Sequence, residues 1–232
     1  MGVSDRGDDM TRFFDVLFST CAIIVLFPFM IPIMIGLKLT GEHYVFYEQM
    51  RVGKGGRVFP LLKFATMLKD SPNMPGGLYT SKDDPRLLPM GKFLRKTKIN
   101  ELPQLINVLR GDMSIIGYRP MVPEHNMLYP EEARRKMASS LPGLSGIGSI
   151  VFRNEEEILQ QVPEKEIFDK EVIAPYKAEL ECWFIDHKSI FLYFRLISLT
   201  IDAVKNPRSR RWWRELKRKG LPKPPVKLRK YL

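Results

Sequence analysis

Arg95, Lys96, Lys98 and Glu101 crowd into seven positions just ahead of a helix start, and Arg119 follows 18 residues after Glu101. Residues of these types at this spacing suit the binding of phosphate. A helix N-terminus offers unpaired N–H groups and a partial positive charge, and arginine adds charge-assisted, bidentate bonds. The helix itself is legible. Asn100 is a good N-cap, because its side-chain oxygen can accept from the free N–H groups of the next turn. Pro103 falls in the first turn, where a missing N–H costs little. Leu102, Leu105, Ile106 and Leu109 then form one apolar face, and Gly111 sits where a helix stops. Met113 to Ile116 is short and apolar, as a buried strand is, with Gly117 and Pro120 ending it. A strand returning alongside the helix would bring Arg119 to the same place. The plainer reading is a capped helix with solvated flanking charges.

The rest of the chain must position this segment. Tyr44 to Met50 and Arg57 to Met67 flank the Gly-rich Val52–Gly56 and read as a β-hairpin. Lys63, in the second run, is either a functional cation or an outward-facing strand residue. Asp70 to Arg86 is a polar loop, long enough to cover a site. Met90 to Lys98 forms a short basic helix, and Glu124 to Ser140 an exposed one. Pro142 to Gly148 is a turn-rich link whose glycines would let backbone approach a ligand. Asn154 starts a helix whose Glu155, Glu156 and Glu157 favour its dipole. Ile173 to Val204 is one or two helices, bulky but interrupted by charge, suited to docking on the core or lying in a membrane interface.

Val16 to Leu37 is an uncharged run of 22 residues, about 33 Å as a helix and long enough to cross a bilayer core. Pro28 and Pro32 interrupt it, so it is either a kinked spanning helix or a helix broken at proline with both ends returning to one face. The net charge is +11, and the last 28 residues hold 12 of the 37 Lys and Arg against one of the 26 acids. The excess therefore belongs to the tail, where Trp212 and Trp213 beside basic residues suit anionic membrane lipids better than nucleic acid. A disordered, solubilising tail is the bland alternative. Two cysteines, Cys21 and Cys182, make no disulfide framework, and three separated histidines give no zinc spacing.

Taken together, the chain resembles the bacterial sugar transferase family, the monotopic polyprenyl-phosphate phosphoglycosyl transferases of the small, catalytic-core-only type. The resemblance runs from about Arg12 to Thr200. It is carried by Arg12-Phe13-Phe14-Asp15, Gln49-Met50-Arg51-Val52-Gly53, Lys63-Phe64-Ala65-Thr66-Met67, Asp84-Pro85-Arg86 and Leu94-Arg95-Lys96-Thr97. Glu101-Leu102-Pro103-Gln104-Leu105, Gly111-Asp112-Met113-Ser114, Gly117-Tyr118-Arg119-Pro120 and Pro142-Gly143-Leu144-Ser145-Gly146 complete it. The resemblance implies a mainly helical α+β fold. Residues 1–40 would carry a re-entrant membrane helix broken at Pro28. Residues 41–204 would form a compact core with a small β-hairpin and amphipathic interfacial helices, and 205–232 a basic membrane-surface tail. It places the protein on the cytoplasmic face of the bacterial inner membrane. The implied reaction moves a phospho-sugar from a nucleotide diphosphate sugar to polyprenyl phosphate, starting glycoconjugate or polysaccharide synthesis. Magnesium is the implied cofactor, with a second copy or downstream glycosyltransferases as further partners.

The family opens its motif helix with Asp-Glu, the Asp as covalent nucleophile and the Glu assisting magnesium. Here the pair is Asn100-Glu101. A neutral amide is a far poorer nucleophile and a weaker ligand for a hard cation. Phe27, Ala65, Tyr118 and Ser149 also depart from the family's pattern. On this reading Glu101 holds magnesium and Arg95, Arg119 and Lys63 bind phosphates. Arg86 is a weaker phosphate candidate, and Asp112 is a supporting or structural residue. Three accounts of Asn100 stand: transfer by direct attack of the acceptor, a catalytically inactive scaffold that binds substrate or a partner, or an engineered Asp→Asn change.

Overall fold

In the computed structural model, described over residues 3–75, 84–207 and 209–232 with side chains from residue 9 onward, the chain is mainly helical. The helix α1 (Val3–Leu39) comes first. The antiparallel hairpin β1 (Phe46–Val52) and β2 (Val58–Phe64) follows, with Phe46 opposite Phe64 and Val52 opposite Val58. Gly55 and Gly56 close it with positive φ, a conformation cheap only for glycine. Then come α2 (Gly91–Thr97), α3 (Gln104–Arg110) and β3 (Ser114–Ile116). The expected helix over 124–140 is two, α4 (Pro123–Asn126) and α5 (Glu131–Ala138), because Pro130 cannot continue a helix. After β4 (Gly143–Ser145) lie the short helices α6 (Ile147–Val151), α7 (Glu155–Gln160) and α8 (Lys165–Phe168). The long α9 (Ala174–Asp186) and α10 (Ile190–Lys205) split at Ser189, which caps α10 by accepting from Leu192 N–H. The middle of the expected covering loop, 76–83, lies outside the described residues.

The expected break at Pro28 needs correction. α1 is one helical element that continues through Pro28 and Pro32. Each proline removes one bond, to the carbonyl four residues back. The two stand four residues apart, so both losses fall on one face and the other bonds carry the helix through. The return to one body, however, is present. Arg12 donates to the carbonyls of Val108 (2.5 Å) and Leu109 (2.7 Å), and Asp15 accepts from Ile115 N–H (2.9 Å) and Tyr193 Oη (2.8 Å). At the far end Met30 and Leu37 bury against Phe64 and Leu94. A simple spanning helix would send these flanks to opposite sides of a bilayer. Between them Ile24, Val25, Phe27 and Phe29 are exposed, which excludes a buried core helix.

The turn-rich link, whose glycines could serve a ligand or a plain loop, approaches backbone at Gly143 and Gly146. β3 and β4 form a two-stranded parallel ladder, Ser114 opposite Gly143 and Ile116 opposite Ser145. A Cβ on Gly143 would meet Gly117 N at 2.0 Å, and one on Gly146 would meet Gly117 O at 1.9 Å. The main core lies between α6, α9 and α10. The basic tail is part of it rather than free: in α11 (Arg211–Leu216) Trp212 and Leu216 are buried, as are Leu221 and Leu228 beyond it. Trp183 Nε1 donates to Lys219 O (3.1 Å) and Tyr176 Oη to Pro222 O (3.0 Å). The Trp212 indole is therefore used inside the protein, not at a headgroup.

Candidate active site

The turn between α2 and α3 aims the key carboxylate. Lys98 caps α2 in the left-handed region, and a 3-10 turn, Ile99–Glu101, follows. Asn100 lies inside that turn and is not the N-cap of α3. Leu102 and Pro103 already have helical dihedrals, so the helical path starts without the extended residue that a side-chain cap requires. Asn100 is buried, and its Oδ1 has no hydrogen-bond partner. Gly111 ends α3 in the left-handed conformation, as expected. β3 then runs back beside α3, and Arg119 Nη2 meets Glu101 Oε1 at 3.2 Å.

The inward face of the hairpin adds more cations. Gln49 Oε1 accepts from Lys63 Nζ (2.9 Å) and Arg51 Nη2 (2.6 Å), and Arg51 Nη1 donates to Pro120 O (2.9 Å). Burial pulls the Glu101 carboxyl upward, but Arg119, Lys63 and Lys98 outweigh it and hold the pKa at about 2. Burial and the charges of Arg51, Arg119 and Arg95 hold the Lys63 ammonium well below its usual value, against the pull of Glu101. Arg51 is lowered to about 10 by burial and by Arg119. Glu101 is thus a fixed anion among several cations.

Glu101, Arg95 and Arg119 open onto one cleft of about 870 Å³. Lys92, Lys96 and Lys98 add to its basic lining, and Leu102, Leu105, Ile116 and Leu144 to its apolar lining. Ala22 and Leu26 of α1 and Ile197, Ile201 and Val204 of α10 line it too, so the cleft borders the exposed apolar helices. The other expected residues lie elsewhere. Lys63 stands behind Glu101 and does not line the cleft. Arg86 is buried, its guanidinium gripping Asp84 (2.7 Å) and the Ser71 carbonyl (3.1 Å); it clamps its own loop rather than a substrate. Asp112 Oδ2 accepts from Asn107 Nδ2 (3.1 Å) and so has the structural role.

Arg51, Gln49 and Glu181 complete the surroundings. Period-2 alternation puts Tyr47, Gln49 and Arg51 on one face of β1, and hairpin register adds Lys63. That signal was available in the sequence. Glu181, on α9, gave none. It is buried in the cleft wall with Oε1 near Arg119 N (3.4 Å) and Oε2 without a partner. A Cβ on Gly148 would meet its Oε1 at 2.4 Å, so glycine there makes room for the carboxyl. Burial raises its pKa to about 8, against the N–H groups of Arg119 and Gly148 and the charges of Lys177 and Arg119. A raised pKa means the folded state holds a proton that the unfolded state has lost, so stability falls as pH rises from 4.5 to about 8. Glu181→Gln removes this dependence. The melting-temperature gain of the variant over wild type is expected to widen across that window and level off above it; a constant difference would contradict the assignment.

A family model described as bacterial sugar transferase matches residues 7–207. The exopolysaccharide production protein ExoY of Sinorhizobium fredii is 36% identical over 158 residues, 62% of this chain and 70% of the relative. The uncharacterized sugar transferase EpsL of Bacillus subtilis is 34% identical over 198 residues, 84% of this chain and 87% of the relative. A UDP-glucose:undecaprenyl-phosphate glucose-1-phosphate transferase of Escherichia coli is 34% identical over 181 residues, covering 77% of this chain but 38% of the longer relative. With the cleft, the Glu101 turn and matches of this extent, the chain belongs to the bacterial sugar transferase family.

Proposed function

We propose that this protein transfers a phospho-sugar from a nucleotide diphosphate sugar to polyprenyl phosphate, starting polysaccharide or glycoconjugate assembly at the cytoplasmic face of the bacterial inner membrane. The observation that carries this reading is a single cleft with both basic and apolar lining. Arg95, Arg119 and the lysines suit a diphosphate, and the lining residues of α1 and α10 belong to helices with exposed apolar faces, where a lipid tail would lie. Phe14 and Phe18 of α1 meet Phe194 of α10 (4.9 and 6.1 Å), so the two helices share one aromatic patch. The basic tail supports contact with anionic lipid. The named relative acting on undecaprenyl phosphate points the same way.

Asn100 shapes the mechanism. A neutral amide does not form an acyl phosphate, so the acceptor's phosphate oxygen attacks the sugar-linked phosphorus directly. One P–O bond forms to the acceptor and the bridging P–O bond breaks, its electron pair leaving on nucleoside monophosphate. No proton need move. Arg95 and Arg119 bind and orient the diphosphate, while Arg51 keeps the site positive from behind and Lys63 bonds Gln49. Positioning and charge neutralisation supply most of the catalysis in phosphoryl transfer. Magnesium fits the donor set: among the described residues no group of three acidic or His/Cys ligands is present, and magnesium asks for only one or two carboxylates plus phosphates and water. Glu101, which lines the cleft, would hold it, and when bound it would neutralise charge on the diphosphate. The test is transfer of labelled sugar into polyprenyl phosphate by protein in nanodiscs, across a panel of nucleotide sugars. Lipid-linked label with equimolar nucleoside monophosphate is expected; donor binding without lipid product would contradict the reading.

A further inference from the structure

Both cationic flanks of the cleft mouth are already occupied by acids from a single turn. Glu155 and Glu156 open α7. Glu155 Oε1 reaches back to Lys177 Nζ on α9 (2.5 Å), and Glu156 Oε1 reaches across to Arg95 Nη2 on α2 (3.2 Å). All four side chains line the cleft. The Lys177 pair is mostly sheltered, whereas Glu156 is 62% exposed. The Arg95–Glu156 contact joins parts of the chain 61 residues apart. Two consecutive carboxylates thus neutralise two cations of the cleft, the charges that a diphosphate would neutralise there.

We propose that the first turn of α7 is an autoinhibitory latch, a diphosphate mimic that the donor must displace from Arg95 and Lys177 to enter the cleft. This rests on the reading of the cleft as a nucleotide diphosphate sugar site. The donor's diphosphate, a diester with two negative charges, matches the two carboxylates in charge and adds bidentate bonds to Arg, so it displaces the Glu155 and Glu156 side chains while Ile158 and Leu159 keep α7 in the core. The solvent-exposed half of the latch is the weaker one, since screened ion pairs contribute little each. It opens first, at Glu156, while Glu155 on Lys177 acts as the hinge side. The two carboxylates are thereby held over the cations by salt-sensitive contacts, while buried Ile158 and Leu159 anchor the helix that carries them.

The test measures binding of UDP-glucose and of inorganic pyrophosphate to full-length protein in nanodiscs by calorimetry. Glu156→Gln is expected to tighten both by roughly two- to five-fold, the range an exposed ion pair allows, and Glu155→Gln/Glu156→Gln by more. Glu157→Gln separates the latch from general electrostatics. Glu157 lines the same cleft but forms no ion pair among the described residues, so its removal is expected to change affinity by less than half as much. In an Arg95→Ala background the gain from Glu156→Gln is expected to vanish. Unchanged or weaker binding by Glu156→Gln, equal gains from Glu157→Gln, or a gain that survives Arg95→Ala would overturn the latch while leaving the donor site standing. Absence of binding by wild type and every variant would overturn the donor site and the latch with it.

Discussion

Glu101→Gln is expected to lower kcat by about 10²- to 10³-fold, the effect of removing one preorganised electrostatic group from an active site. The substitution keeps shape and hydrogen-bonding capacity but removes the one charge that Arg119, Lys63 and Lys98 converge on. It also releases Arg119 from its 3.2 Å ion pair. Donor binding is therefore expected to hold or tighten while turnover collapses, so KM for the nucleotide sugar should not rise. That split distinguishes a group acting in the transition state from one that only binds substrate. Steady-state release of nucleoside monophosphate across donor concentrations checks it. A variant within three-fold of wild type in kcat, or one whose loss lies wholly in KM, would remove Glu101 from the catalytic role.

Asn107→Leu is expected to destabilise the protein by about 3–5 kcal/mol, among the largest single losses in the core. Asn107 is fully buried. Its Oδ1 accepts from Leu62 N–H (2.9 Å), and its Nδ2 donates to Pro60 O (2.8 Å) and to Asp112 Oδ2 (3.1 Å). One side chain thus completes the edge of β2 that β1 leaves unpaired. Leucine fills similar space but strands a buried N–H, a carbonyl and a carboxylate oxygen. The hairpin carries Gln49, Arg51 and Lys63, so loosening it also loosens the cations behind Glu101. Thermal unfolding in nanodiscs is expected to show a fall of roughly 6–20 °C, at 2–4 °C per kcal/mol for a chain of this size. A fall of less than 2 °C would mean that the hairpin is held chiefly by something else.

Which parts of this were legible in the sequence follows from how local their causes are. The hairpin was legible because Gly55 and Gly56 satisfy a positive-φ turn between two β-rich runs. The stop of α3 was legible because Gly111 alone explains it. Arg95, Glu101 and Arg119 were legible as a group because helix and strand lengths dictate their return to one place. The parallel pairing of β3 with β4 was hidden, since two three-residue strands carry no periodicity and their cause is backbone contact between Gly117, Gly143 and Gly146. Asn100 misled for a similar reason. N-cap preference is real, but the helical dihedrals of Leu102 and Pro103 took precedence. The expected apolar face of α3 was also shifted: Gln104, Leu105, Asn107 and Val108 are the buried residues, while Leu102, Ile106 and Leu109 are half-buried. Composition made the tail look free, because charge count outweighed the four apolar anchors that fix it to the core. Pro28 alone does not tell a break from a helix that carries on past it, and α1 carries on.

Asn100 is where the chemistry is decided, and a single pre-steady-state measurement reads it. Wild-type protein in nanodiscs is mixed with its nucleotide diphosphate sugar, with and without polyprenyl phosphate, and nucleoside monophosphate is followed through the first turnover. Direct attack by the acceptor requires both substrates, so release is expected only when the lipid is present, with no burst in its absence. A burst of nucleoside monophosphate stoichiometric with protein and independent of lipid would mean that the phospho-sugar is first captured by the protein itself, and would contradict the account.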